Sequence, residues 1–265
     1  MTSLVGILNI TSDSFSDGGL YESPDVALNQ AMKLSKNGVK IIDIGAESTR
    51  PGAKTISPEE EWKKLSPVIS LLKKNNFKIS IDTRNSSTAK KSLEAGADWI
   101  NDVSGFNDNE MIEATKNSAC KIVVMHNLGI PANPQNTIKE SEDVVEVVYS
   151  WGKEKIEELA ARGISKERII FDPGIGFGKT ATQSLELIKS AEKFKNLGVK
   201  ILFGHSEKSF LKLFTDKPAG KRGLETAIIS AYLSDNGIDY IRVHNPEINN
   251  HAISLFKGCL KQSDN

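Results

Sequence analysis

Short β-branched apolar runs recur along the chain, each followed by a turn and then by a stretch whose apolar positions repeat with helical spacing. The runs are LVGILNI (4–10), KIIDIGA (40–46), KISIDT (78–83), WINDVS (99–104), KIVVMH (121–126), RIIFDPG (168–174), KILFGHS (200–206) and YIRVHN (240–245). Helix starts are marked where Ser23-Pro24 and Ser57-Pro58 put a cap residue before proline, and Ser57 with Glu60 has the spacing of a capping box. Most helices then end in glycine before the next strand, as in KNGVK, EAGADW, ARGISKERI, NLGVK and DNGIDY. Eight such units without a break in composition predict an α/β fold, a (β/α)8 TIM barrel forming one domain over residues 1–265. An open doubly wound sheet of eight strands is the alternative.

Polar or ionisable residues sit at the C-terminal ends of these runs: Asn9, Asp43, Asp82, Asn101 with Asp102, His126, Asp172, Ser206 with Lys208, and Arg242 with His244. In a parallel barrel those ends meet at the face where active sites are built. A strand-end Asp or Asn also commonly caps the following helix, and Asp43 and Asp102 admit that reading.

Charge narrows the partners. Lys plus Arg equals Asp plus Glu at 34 each, so no basic surplus drives binding to nucleic acid or to an anionic membrane, and any anion site must be local. Hydrophobic residues make up 38% with no long apolar run, and MTSLVGILNI enters directly into a strand, which predicts a soluble cytoplasmic protein. Cys120 and Cys259 stand far apart with no CxxC, and are read as packing residues.

The run DPGIGFGKT (172–180) ends like a phosphate-binding P-loop, but the position that must be glycine, six before the lysine, is Pro173, which has no N–H to give. A nucleotide loop is therefore excluded. Elsewhere the convergent groups include carboxylates at Asp82 and Asp172, the amide of Asn101, and the cations Arg50, Lys208 and Arg242. A buried carboxylate accepts two parallel hydrogen bonds from the N–H edge of a pterin or guanine ring, and the cations suit phosphate oxygens. An aminopterin-like ring carrying phosphate is thus the natural ligand class. The Gly-, Ser- and Pro-rich loops NITSDSFSDGG and ESTRPGAK read as mobile lids. No cluster has the spacing of an all-protein metal cage, and HExxH is absent, which leaves Mg2+ through Asn9. His205 is read as strand-end packing and His251 as a helix-surface residue.

These motifs resemble, in order, those of the dihydropteroate synthase family from Gly6 to about Leu255: GILNITSDSFSDGG, DIGAESTRPGA, SIDT, NDVSG, VVMH, DPGIGFGK and RVH. The resemblance implies condensation of 6-hydroxymethyl-7,8-dihydropterin diphosphate with p-aminobenzoate to 7,8-dihydropteroate and diphosphate, with Mg2+ as cofactor. It also implies a homodimer and a sulfonamide target. By the same resemblance Asp82, Asn101, Asp172 and Lys208 hold the pterin edge, Met125 and Phe177 line its slot, and Arg242 stacks on the ring. Asn9 ligands Mg2+; Arg50, Arg242 and His244 meet the diphosphate; Phe15, Thr49, Pro51, Lys208 and Ser209 form the p-aminobenzoate site. Asp82, Asp172, Lys208, Arg242 and His244 are the implied catalytic set.

The chain departs from the family pattern at the seventh strand, where GHSEKSF has Glu207 in place of the arginine of Ser-Arg-Lys-Ser. Strand alternation points Glu207 away from Ser206 and Lys208. Within reach of Ser209, its anion is expected to oppose the p-aminobenzoate carboxylate unless Lys212, Lys221 or Arg222 compensates. Smaller departures are His244-Asn245 for His-Asp, and DIGA for DIGG. Two other readings follow: a pterin-binding barrel without synthase activity, and a methyltetrahydrofolate-dependent methyltransferase. The latter leaves STRPG and the lysine of SEKS without a task.

Overall fold

The computed structural model describes residues 2–10, 23–47, 55–133 and 135–261. Strands and helices alternate along the chain: β1 Ser3–Asn9, α1 Pro24–Lys36, β2 Val39–Gly45, α2 Pro58–Lys74, β3 Ile79–Asp82, α3 Ser86–Glu94, β4 Trp99–Asp102, α4 Asn109–Lys116, β5 Lys121–Met125 and α5 Val144–Ala161. They continue with β6 Ile169–Asp172, α6 Ala181–Lys189, β7 Lys200–Phe203, α7 Gly223–Asp235, β8 Tyr240–Val243 and α8 Pro246–Lys261. The strands pair in sequence order, all parallel, and β8 pairs with β1 to close the barrel. That closure excludes the open doubly wound sheet.

Two-residue alternation explains how the strands divide their side chains. One residue in two faces the helices: Leu4, Ile42, Ile100, Ile122, Ile169, Ile201 and Ile241 belong to the large core between barrel and helices. The next residue along faces inward, and Val5, Ile41, Trp99, Val123, Ile170 and Leu202 form a separate apolar cluster, with Tyr240 packed against it. This inner layer fills the barrel as a plug, so a ligand can enter only from the ends.

The helix ends follow from local chemistry. The Ser57 hydroxyl accepts the Glu60 N–H at 3.2 Å, while the Glu60 carboxylate accepts the Ser57 N–H at 3.0 Å, completing the capping box. Ser23 occupies the cap position of α1, but its hydroxyl makes no cap hydrogen bond. Gly38, Gly96, Gly163, Gly198 and Gly237 end their segments with positive φ, as the glycine-ended helical stretches require. No helix among the described residues is long and apolar enough to cross a membrane.

Candidate active site

Two residues beyond the inner layer, the same inward positions are polar on β2, β3, β4, β6 and β8, while β5 carries Met125. Ile41 leads to Asp43, Ser80 to Asp82, Trp99 to Asn101, Val123 to Met125, Ile170 to Asp172 and Tyr240 to Arg242. Asp82, Asn101, Met125, Asp172 and Arg242, joined by Phe177 and Lys208, line one pocket at the C-terminal end of the barrel. The strand register brings them level: Asp82 is opposite Asn101, and Met125 is opposite Asp172. Every residue assigned to the pterin slot therefore reaches the pocket. Asp102, one residue past Asn101, turns outward, and its carboxylate accepts from the backbone N–H groups of Ser104 and Phe106 and from the Ser104 hydroxyl.

Apolar and polar walls differ in role. Val103, Met125 and Phe177 pack together on one side, and the Lys208 ammonium lies 4.1 Å from the centre of the Phe177 ring. Asp172 is 6% exposed, and burial pushes its carboxyl up to about 6 against the pull of the Gly174 N–H and of Lys208. Burial likewise raises Asp82 above the usual carboxylate range, opposed by the Arg242 guanidinium and reinforced by Asp43. Lys208 is drawn down to about 8 by loss of solvent, with Asp172 opposing that shift.

Arg242 is tied down on two sides. Its Nε donates to Asp43 at 2.5 Å and its Nη2 to Asp82 at 2.7 Å. Asp43, fully buried, also accepts from the Asn101 amide at 3.1 Å. Asp43 therefore caps no helix but sets the position of two pocket residues, and Asp82 commits one oxygen to Arg242 before any ligand arrives. Sequence reasoning left Asp43 between cap and site; its place two residues beyond the inner Ile41 was the available signal.

DPGIGFGKT wraps beneath the pocket. The Asp172 carboxylate accepts the Gly174 N–H at 2.8 Å, and Gly174 stands at φ +70, where an added Cβ would lie 1.9 Å from the His126 carbonyl oxygen. Thr180 caps α6, in a capping box with Gln183, so the P-loop-like ending is a helix start. Lys179 is buried: its ammonium donates to the Phe177 carbonyl and contacts His126 Nδ1, each at 2.8 Å. Desolvation, then repulsion by Lys179, lowers His126 to about 3, and its ring meets Trp151 edge-on. His126, aligned with the site in the sequence, thus faces away from the pocket and supports its floor.

The remaining assignments scatter. His244 Nδ1 lies 3.0 Å from the Ser206 hydroxyl. Ser209 is exposed at the start of a 3-10 helix, Ser209–Leu213. His205 is buried, its Nε2 donating to the Thr226 carbonyl and meeting the Ser230 hydroxyl, while His251 is exposed on α8. Phe15, Thr49, Arg50 and Pro51 lie outside the described residues. The Glu207 carboxylate accepts the N–H groups of Gly220 and Arg222. Lys212 and Lys221 are exposed, and the Arg222 guanidinium is occupied by backbone carbonyls.

Among the described residues no group of three His, Cys, Asp or Glu could hold a metal ion. Asn9, half-exposed at the end of β1, offers one amide oxygen. A single protein oxygen fits Mg2+, which keeps several waters and takes substrate phosphate oxygens.

Comparison with known proteins gives this geometry a context. The sequence pattern of the family described as "Pterin binding enzyme" matches residues 5–244. The chain is 41% identical over 263 residues to a probable bifunctional folylpolyglutamate synthase/dihydropteroate synthase of Halobacterium salinarum, covering 99% of this chain and 32% of that protein. It spans about a third of the length of that relative. With dihydropteroate synthase of Synechocystis sp. it shares 38% identity over 249 residues, covering 93% of this chain and 86% of the relative. It also superposes on the crystal structure of dihydropteroate synthase from Anaplasma phagocytophilum with bound 6-hydroxymethylpterin-monophosphate. The TM-score is 0.88 at 33% identity, covering 97% of this chain and 99% of that one.

Proposed function

Because this chain belongs to the pterin binding enzyme family, and to dihydropteroate synthases within it, we propose that it joins 6-hydroxymethyl-7,8-dihydropterin diphosphate to p-aminobenzoate, releasing diphosphate. The observation that carries the reading is the pocket itself, where Asp172, Asn101, Lys208 and Arg242 surround a slot walled by Met125 and Phe177. A flat ring between those apolar walls presents its N–H edge to Asp172, whose ionised carboxylate accepts two bonds. Asn101 and Lys208 contact the remaining ring heteroatoms, and the free oxygen of Asp82 faces the same space.

An arylamine is a weak nucleophile, so the barrier falls most if the C–O bond to diphosphate breaks ahead of C–N bond formation. Positive charge then grows on the pterin methylene and negative charge on the leaving group. Asp82 and Asp172 stabilise the former; Arg242, His244 and Arg50 stabilise the latter. The attacking amine loses its proton after the bond forms, so no strong base is required. Mg2+, held by Asn9 and diphosphate oxygens, would supply further charge neutralisation for the leaving group. Phe15, Thr49, Pro51, Ser209 and Lys208 are assigned to p-aminobenzoate, and the protein to the cytoplasm.

We assign a homodimer to the outer face of α7, where Leu224, Ile228 and Tyr232 recur at helical spacing, 57%, 59% and 38% exposed. Sedimentation at micromolar concentration should give a dimer; a monomer would refute this assignment. For the activity, purified protein given the pterin diphosphate, Mg2+ and p-aminobenzoate should release dihydropteroate and diphosphate in equal amounts. Tight pterin binding with no turnover would overturn it.

A further inference from the structure

β7 ends at Phe203, and past it strand alternation no longer fixes where side chains point. Glu207 adopts φ +60, unusual for a residue with a side chain. Three contacts hold it there. Its N–H donates to the Thr226 hydroxyl of α7 at 3.1 Å, and its carboxylate Oε2 accepts the N–H of Gly220 at 2.8 Å and of Arg222 at 3.0 Å. Those two amides belong to the segment leading into α7, where a carboxylate is also favoured by the helix dipole.

Arg222 returns the contact. Its buried guanidinium donates from Nη1 to the carbonyls of Glu207 at 3.3 Å and of Lys208 at 3.0 Å, and from Nε to the carbonyl of Lys217 at 2.8 Å. The carboxylate of 207 thus fixes the backbone at 222, and the side chain of 222 fixes the backbone at 207 and 208. The result is a closed clamp between the turn after β7 and the segment entering α7, 13 to 15 residues further on. Lys208 immediately follows Glu207, has both its carbonyl and its direction set by that clamp, and carries its ammonium over Phe177 into the pocket.

We infer that Glu207 is a positioning residue for the pocket: with Arg222 it holds the Lys208–Ser209 turn in register with the pterin slot, in place of repelling substrate. The inference rests on the proposed reaction for its kinetic consequence, but the clamp itself can be tested without turnover. An arginine at 207 would set a cation against the guanidinium of Arg222 and leave the Gly220 and Arg222 amides without an acceptor.

The experiment compares Glu207→Ala, Glu207→Gln, Glu207→Arg, Arg222→Ala and the double variant Glu207→Ala/Arg222→Ala in the full chain. KM and kcat for both substrates are measured alongside amide hydrogen exchange. Glu207→Ala should raise the KM for the pterin substrate about tenfold, and that for p-aminobenzoate as well because Lys208 and Ser209 are assigned to it, in line with loss of a charge-assisted hydrogen bond. Glu207→Gln, which keeps an acceptor oxygen, should recover most of it, and Glu207→Arg should be no better than alanine. The double variant should be no worse than Arg222→Ala alone. Exchange at Gly220 and Arg222 should be slow in the wild type and fast in Glu207→Ala. Wild-type kinetics in the alanine and arginine variants, or equal exchange in wild type and Glu207→Ala, would overturn the inference. An inactive wild type whose exchange still depends on Glu207 would overturn the proposed reaction and leave the clamp standing.

Discussion

Asp43 and Arg242 stand 199 residues apart in the chain and meet at 2.5 Å across the mouth of the barrel, Oδ2 to Nε. Asp43 is wholly buried, so it cannot reach a ligand; its effect on the pocket passes through Arg242 and Asn101. Removing one partner of a buried ion pair strands the other in a poorly solvated place. Asp43→Ala should therefore cost about 3–5 kcal/mol of folding stability, and Asp43→Asn less, because an acceptor oxygen remains. Urea unfolding at pH 7.5 reads both, and a wild-type midpoint for Asp43→Ala would show that the pair holds nothing.

Asp172 sets stability against function. Its carboxyl sits at about 6 in the fold, above its usual 3.8, so between those values the folded chain holds a proton that the unfolded chain has released. Its contribution to stability is present below pH 3.8 and is lost as pH rises through about 6. Asp172→Asn should accordingly be more stable than wild type at pH 8, by about 1–3 kcal/mol, and gain little at pH 4. The same substitution removes the double acceptor and should raise the KM for the pterin substrate at least about a hundredfold. In the wild type that KM should climb below about pH 6. Equal unfolding curves at pH 8 would contradict the account.

How much of this was legible in the chain depended on whether a residue lay inside a strand. Asp82, Asn101, Met125, Asp172 and Arg242 occupy inward positions two beyond the apolar plug, and a period of two carries them to the pocket without any knowledge of loops. The same period separates Asn101 from Asp102, one reaching the pocket and the other the following turn. Beyond the strand ends the period gives no direction, because positive-φ turns and long-range partners aim the side chains; Phe177 and Lys208, which also line the pocket, are assigned to the pterin slot through the family resemblance. Lys179 follows three glycines at φ +70, +79 and +67, and its burial depends on where His126 stands just past the end of β5. Glu207 does point away from Lys208's pocket, but a left-handed turn and Arg222 direct it there, not alternation.

Gly174 is irreplaceable on geometric grounds. Any side chain there is strained by φ +70, and its first carbon would stand 1.9 Å from the carbonyl oxygen of His126, a backbone atom that cannot swing aside. Gly174→Ala should lower the melting temperature by more than about 10 °C or prevent soluble expression altogether, given a cost of several kcal/mol. Gly198→Ala is the control: it shares a left-handed backbone, φ +72, with nothing near its added carbon. It should lose only about 1 kcal/mol. Similar losses in both variants would mean that strain, not the contact with His126, governs position 174.

Lys179 supplies a test at the opposite end of the pH scale. Burial first, and Lys208 second, draw its ammonium from 10.5 to about 7, while nearby Asp172 opposes the shift. Between about 7 and 10.5 the unfolded chain therefore carries a proton that the folded chain lacks, and stability rises with pH through that window. His126, lowered to about 3, and Asp172, at about 6, titrate below it, whereas Lys208, at about 8, and Asp82, at about 7, titrate within it, so the test needs a reference that lacks only Lys179. Lys179→Met keeps the length of the side chain and abolishes the titration. The stability of wild type relative to this variant should then grow by about 2 kcal/mol from pH 7 to pH 9, since one pKa unit corresponds to about 1.4 kcal/mol. Guanidinium unfolding at the two pH values measures the difference directly, and parallel behaviour of the two proteins would place the proton elsewhere than on Lys179.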